Sequence, residues 1–247
     1  MEIELALDSS IGWLYDAEVR QVIEGRPMIV TVIDGKISVP FWVVDIDSFR
    51  RWTDCDDFPQ DGQVWWLCGE VWADMSKRQI FTHLVVKNEF SFTLTGLAKK
   101  GKMGLFIPDG LLLSSFAADI CGNPDGTFVS NDTLGSDRIR LIEGKDGGYT
   151  ELQGAADMVL EVVSDSSVDK DYVTLRQAYW EAGIREYWLV DVRKSPTVFD
   201  IFHHTSRGYA TRRKKDGWVK SEVFGKSFRL NRSTNALGHP EFSLQVR

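Results

Sequence analysis

Two short apolar runs, with a charged stretch between them, set the tightest limit on what this chain can fold into. MVLEVVS (Met158 to Ser164) and EYWLVD (Glu186 to Asp191) are nearly continuous in apolar residues. Runs of this length, rich in Val and aromatic residues, suit strands buried on both faces. Between them, Val168, Tyr172, Leu175 and Tyr179 fall at helical spacing, and Ala182-Gly183 supplies a stop. Strand, helix over Asp165 to Glu181, and strand predict a parallel pair joined by a right-handed crossover.

The remaining segments fill out a mixed α/β, or α+β, pattern. MIVTVID (Met28 to Asp34) and ISVPFWVVD (Ile37 to Asp45), with a Gly-Lys turn between them, read as a hairpin. QVWWLCGEVWADM (Gln63 to Met75) reads as two strands meeting at a tight turn supplied by Gly69. From Ser76, a plausible N-cap, to Lys100, a helical face carries Ile80, His83, Leu84, Lys87, Phe90 and Leu94. MGLFI, LLLSSFAA and GTFVS follow as strands, and residues 130–148 read as a loop. VFDIFHH, YATRRKK and GWVKSEVF form an antiparallel C-terminal arm. Residues 1–57 are read as a β-rich accessory segment and 58–247 as the main domain. The accessory hairpin is a candidate for pairing two copies into a homodimer.

Composition narrows the function classes. Hydrophobic residues make up 43% and charged residues 26% of the 247, a globular balance. No apolar run approaches the ~20 residues of a membrane span. MEIELALDSS lacks a basic start followed by an apolar core, so no secretory signal is expected. Cys55, Cys68 and Cys121 form no metal or disulfide pattern; they fit free thiols in a reducing, cytoplasmic setting. The net charge of −7 means that any nucleic-acid contact must be local. Lys99, Lys100 and Lys102, and Arg212 to Lys215, are the two basic clusters, and solvated loops are the plainer explanation of both.

One residue conflicts with its surroundings. Glu161 stands in the middle of MVLEVVS. A carboxylate in a buried strand is costly unless it is paired, protonated or bound to a metal. Alternation puts it on one face with Val159 and Val163, and puts Leu160 and Val162 on the other. Two near-repeats, PDGLLLS (Pro108 to Ser114) and PDGTFVS (Pro124 to Ser130), each offer an aspartate at the mouth of a strand. Pro-Asp-Gly is ordinary turn chemistry. Two carboxylates on neighbouring strands can also hold one Mg²⁺, with waters completing its octahedron. Sequence physics separates Asp109 from Asp125 only weakly.

The run from Asp157 to Asp191 resembles the signature block of the Uma-type restriction endonuclease family, within the PD-(D/E)xK nuclease superfamily. LEVVS, YWEAGI and EYWLVD carry the resemblance. GEVWADM, His83, NPDGTFVS and GWVKSEVF extend it in family order, over roughly Trp52 to Leu230. The resemblance implies a restriction endonuclease-like core, with a mixed sheet flanked by helices. It also implies a Mg²⁺ or Mn²⁺ site made by Asp125 and Glu161, with Glu70 as a supporting acid. Family order, not local chemistry, prefers Asp125 to Asp109.

The function so implied is metal-dependent hydrolysis of DNA. Lys170 or Arg176 would supply positive charge, and His83 would orient a neighbouring group. The chain departs from the pattern at the lysine. The superfamily position two residues after the glutamate is Val163, and the alternative position in the next helix is Leu175. Trp65 and Cys68 replace two acids of the segment before Glu70. These departures motivate an alternative: a degenerate nuclease fold that binds nucleic acid or a protein without cutting. The Trp65-Trp66 pair would then be a candidate for stacking on bases.

Overall fold

A computed structural model describes residues 17–23 and 26–247. The start of the accessory segment, including the stretch in which no secretory signal is read, lies outside the described residues. The first elements are β1 (Ala17–Ile23), β2 (Arg26–Ile33), α1 (Ile46–Thr53), β3 (Gln63–Leu67) and β4 (Glu70–Asp74). A π-helical turn (Ile80–Leu84) then runs into α2 (Val85–Gly101). β5 (Gly104–Pro108), β6 (Leu112–Ser115), β7 (Ile120–Gly122), β8 (Gly126–Ser130), α3 (Asn131–Leu134), β9 (Ile139–Glu143), β10 (Tyr149–Gly154) and β11 (Met158–Val162) follow. A second π turn (Lys170–Thr174) leads into α4 (Leu175–Glu181), then β12 (Glu186–Asp191), β13 (Val198–Thr205) and β14 (Gly208–Thr211). β15 (Val219–Ser221), β16 (Lys226–Thr234) and β17 (Pro240–Val246) close the chain.

The fold is mixed α+β, and its strands divide among three sheets. One has the order β1-β2-β4-β3-β7-β6-β10-β9, the second β14-β13-β12-β11-β8-β5, and the third β15-β16-β17. β11 and β12 pair in parallel through the expected crossover, in the register Glu161↔Leu189. The two faces of β11 serve different cores, as its alternation requires. Leu160 and Val162 join Phe90, Leu94, Trp188 and Phe228 beneath α2 and the third sheet. Val159 and Val163 join Trp65, Leu113, Tyr179 and Tyr187 on the opposite side. A third cluster, with Phe49, Trp52, Trp66 and Val71, packs α1 on the first sheet.

Several expectations change. Residues 37–45 are not a strand, because Pro40 interrupts the run and Val43 N–H bonds the Pro40 carbonyl in a turn. β2 pairs instead with β1 and, in parallel, with β4. β5 and β6 belong to different sheets, so Pro108-Asp109-Gly110 passes between sheets and does not close a hairpin. Residues 130–148 contain α3 and β9, and polarity hid them because β9 lies at a sheet edge with only Ile139 buried. The helix expected from Ser76 begins at Ile80 with a π turn, whose extra residue per turn shifts the helical phase, with Ile80 and Leu84 in solvent and His83 inward.

The turn at Cys68-Gly69 is as expected, with both residues at positive φ (52° and 89°), the two-residue hairpin geometry. Gly69→Ala is expected to cost about 1 kcal/mol, the left-handed penalty for a Cβ, since no atom lies within contact distance except Asp119 Oδ2 at 4.0 Å. Urea melts check this, and a loss several times larger would mean that the turn is sterically closed. Among the described residues no helix is long and apolar enough to cross a membrane.

Candidate active site

The site forms where β5, β8 and β11 end side by side. The antiparallel ladder of β8 and β11 ends at Leu160↔Gly126, and Glu161 and Asp125 are the next residues outward on the two segments. β5 and β8 are antiparallel with Pro108↔Gly126, so Asp109 stands beside Asp125 on the other side. The three carboxylates therefore lie in a row, with Asp125 in the middle. Asp125 and Glu161 are buried (2% and 1% exposed), whereas Asp109 is exposed.

Two helices bring counter-charges, and each does so at or just past its π turn. Lys87 of α2 places Nζ 2.8 Å from Asp125 Oδ1 and 2.7 Å from Asp109 Oδ2. His83, one turn earlier, has Nε2 at 3.6 Å from Asp125 Oδ2, beyond hydrogen-bond range, and its buried Nδ1 has no partner among the described residues. Val162 N–H donates to Asp125 Oδ2 at 2.8 Å. On the other acid, Tyr179 O–H of α4 donates to Glu161 Oε1 at 2.7 Å. Lys170 Nζ lies 3.8 Å from Glu161 Oε2 and 2.9 Å from Asp171 Oδ1. The Lys170 ammonium also sits over the rings of Trp65 and Trp72, at 4.7 and 5.0 Å from their centroids. Tyr187 O–H bonds the Asp171 carbonyl and Ser167 O–H bonds its carboxylate, fixing the turn that carries both charges.

Burial and charge act in opposite directions here. Burial raises the Asp125 carboxyl, but the Lys87 ammonium, helped by the Val162 N–H, more than reverses this and holds it below its ordinary value. Burial pushes Glu161 well above the carboxylate range; Lys170 opposes this, while Asp125 and Asp171 add to it. Asp171 is raised, chiefly by burial. Burial lowers His83 and favours its neutral form. Burial also works against the charge on Lys170, yet Asp171 and Glu161 outweigh it and keep that lysine's pKa above the ordinary value. Three buried carboxylates thus face two buried ammonium groups.

The other sequence candidates fall elsewhere. Arg176 is exposed, stacked 4.4 Å from the Phe202 ring centroid and directed at the Tyr209 carbonyl, without a contact to either acid. Glu70, half-buried, shares a face of β4 with Trp72 and Asp74, and it makes no ion pair among the described residues. Sequence reading assigned no site role to Lys87, Asp171, Tyr179 or Asp74. Buried Asp74 accepts from Ser76 N–H, Arg78 and Ser166, tying the end of β4 to the loop after β11. The missed signal for Lys87 was its place on the buried face of α2, four residues after His83. A charged residue on a buried face carries the same message as Glu161 on β11.

Among the described residues no group of three or more His, Cys, Asp or Glu side chains is arranged to hold a metal. The donors present suit a hard divalent cation that takes one or two carboxylates and fills its shell with water or phosphate. Asp125 and Glu161 are such a pair, and the mutual repulsion that helps raise Glu161 is what a cation between them would relieve.

This mixed α+β fold is nuclease-like. The chain belongs to the family described as "Uma2: Putative restriction endonuclease", which it matches over residues 46–233. Among solved structures it is similar to "a putative nuclease belonging to DUF820" from Anabaena variabilis ATCC 29413, with a TM-score of 0.55 and 14% identity. That similarity covers 74% of this chain and 91% of the other. No curated protein matches.

Proposed function

We propose that the protein is a divalent-metal-dependent nuclease that hydrolyses phosphodiester bonds in DNA, with Asp125 and Glu161 as ligands of Mg²⁺ or Mn²⁺. The observation that carries this reading is the pair of buried carboxylates on adjacent strand ends, held by Val162 N–H and Tyr179 O–H. A bound ion would polarise the phosphate and lower the pKa of a coordinated water. Val162 fixes the orientation of Asp125, and Tyr179 fixes that of Glu161. Lys170, over the rings of Trp65 and Trp72, is a buried positive charge that can stabilise charge developing on phosphate. It stands in for the lysine absent at Val163 and Leu175. His83, with Nε2 3.6 Å from Asp125 Oδ2, is the candidate for orienting a group at that end of the site, and Glu70 is the candidate for a supporting acid acting through water. Arg176 takes no part in this reading.

The reading without cleavage draws support from the Lys87 ion pair, which occupies an Asp125 oxygen that a metal would need. Calorimetric titration with Mn²⁺ and cleavage of plasmid DNA separate the two. Wild type is expected to bind Mn²⁺, and Asp125→Asn at least tenfold more weakly, since affinity follows ligand charge. Equal binding by Asp125→Asn would sink the metal site. Tight binding without cleavage would leave a nucleic-acid or protein-binding module.

A further inference from the structure

We propose that Lys87 is an internal competitor for the metal, moving between two acids: it neutralises Asp125 when no ion is bound and is taken over by Asp109 when one is. The inference rests on Asp125 being a metal ligand. Its observation is that one ammonium touches two carboxylates of different character. Asp125 is buried and faces Glu161; Asp109 is exposed and faces solvent. The row of paired strands sets the two acids side by side, and Asp109 N–H points at the Asp125 carbonyl at 3.4 Å. Gly110, at φ 88°, gives the turn its shape, and its N–H donates to Asp109 Oδ1 at 3.1 Å. Asp109 Oδ2 is thereby left for the lysine.

A divalent ion sits about 2.1 Å from its carboxylate oxygens, and Lys87 Nζ already lies 2.8 Å from Asp125 Oδ1. Ion and ammonium cannot share that oxygen without strong like-charge repulsion. Lys87 need not go to solvent, because its second acceptor is in contact at 2.7 Å. A small rotation of its flexible stem trades a bridging position for a one-sided one. The two Pro-Asp-Gly segments then have complementary tasks: one aspartate would bind the metal and the other would hold the displaced lysine.

The test is Mn²⁺ calorimetry on wild type, Lys87→Met and Asp109→Asn, at one pH and ionic strength. Lys87→Met is expected to bind Mn²⁺ at least tenfold more tightly, because the competing charge is gone. Asp109→Asn is expected to bind severalfold more weakly, because Lys87 then keeps Asp125 as its one anionic partner. Asp109 is an exposed turn residue, so this variant reports even if Lys87→Met fails to fold. Binding by wild type with no gain in Lys87→Met, or no loss in Asp109→Asn, overturns the proposal and leaves the metal site standing. Absence of binding in all three proteins overturns the metal site itself. Binding by Lys87→Met alone overturns the handover, because Lys87 is then never displaced from Asp125.

Discussion

Glu161→Gln is expected to reduce metal-dependent DNA cleavage by about 10³-fold or more, equivalent to roughly 4 kcal/mol of barrier, without destabilising the fold. The amide keeps the shape of the side chain, and its oxygen still accepts from Tyr179 O–H. It cannot supply the negative charge that a divalent ion and its activated water require. The stability side follows from the direction of the titration. Burial raises the folded-state Glu161 carboxyl well above its ordinary value despite Lys170. The wild type therefore loses stability as pH rises from the unfolded carboxylate value, about 4.3, through the raised folded one, because the unfolded chain ionises more readily. Glutamine does not titrate and escapes that loss. Lys170 keeps its closer partner, Asp171, at 2.9 Å. Plasmid relaxation rates with Mg²⁺, and urea midpoints at pH 5 and pH 8, check both halves. Undiminished cleavage would remove Glu161 from the chemistry. A midpoint well below wild type at pH 8 would make it chiefly a structural partner of Lys170.

How far the sequence could be read depended on which physical signals were local. The β11–β12 crossover was legible because two buried strands leave continuous apolar runs, and the segments 158–162 and 186–191 match those runs. The two-sided burial of β11 followed from alternation alone, down to the face shared by Val159 and Glu161. The partition into three sheets was not legible, since nothing in LFIPDGLLL says whether its two arms pair with each other or with distant strands. β9 and β10 escaped notice because their exposed residues, such as Glu143 and Tyr149, mimic a polar loop. In the site, Glu161 announced itself as a charge among apolar neighbours, whereas Lys87, placed on the apolar face of its helix, was given no partner there because its acids lie on distant strands. The π turns at 80–84 and 170–174 shift the helical phase, which simple i, i+4 counting cannot anticipate.

Lys170→Met is expected to cost about 3–5 kcal/mol at neutral pH, the loss that follows when one partner of a buried ion cluster is removed. Methionine keeps an unbranched apolar stem against Trp65 and Trp72, so packing is largely retained and the change isolates the charge. What remains is Asp171 and Glu161, both buried and both already raised by burial with Lys170 present. Without the ammonium their folded-state values rise further. At low pH, near the ordinary carboxylate value of about 4, both acids can be protonated in either state, and the variant should differ least from wild type. As pH climbs through the raised folded values, the unfolded chain ionises while the folded one resists, and the deficit grows. Urea midpoints at pH 4, 6 and 8 should therefore show a widening gap. A gap independent of pH would assign the loss to packing against the tryptophans. No loss at all would remove Lys170 from the ion cluster, and with it the reason this site can hold apolar residues at Val163 and Leu175. If the gap does widen, adding Asp171→Asn to Lys170→Met should narrow it, because one of the two stranded charges is then gone.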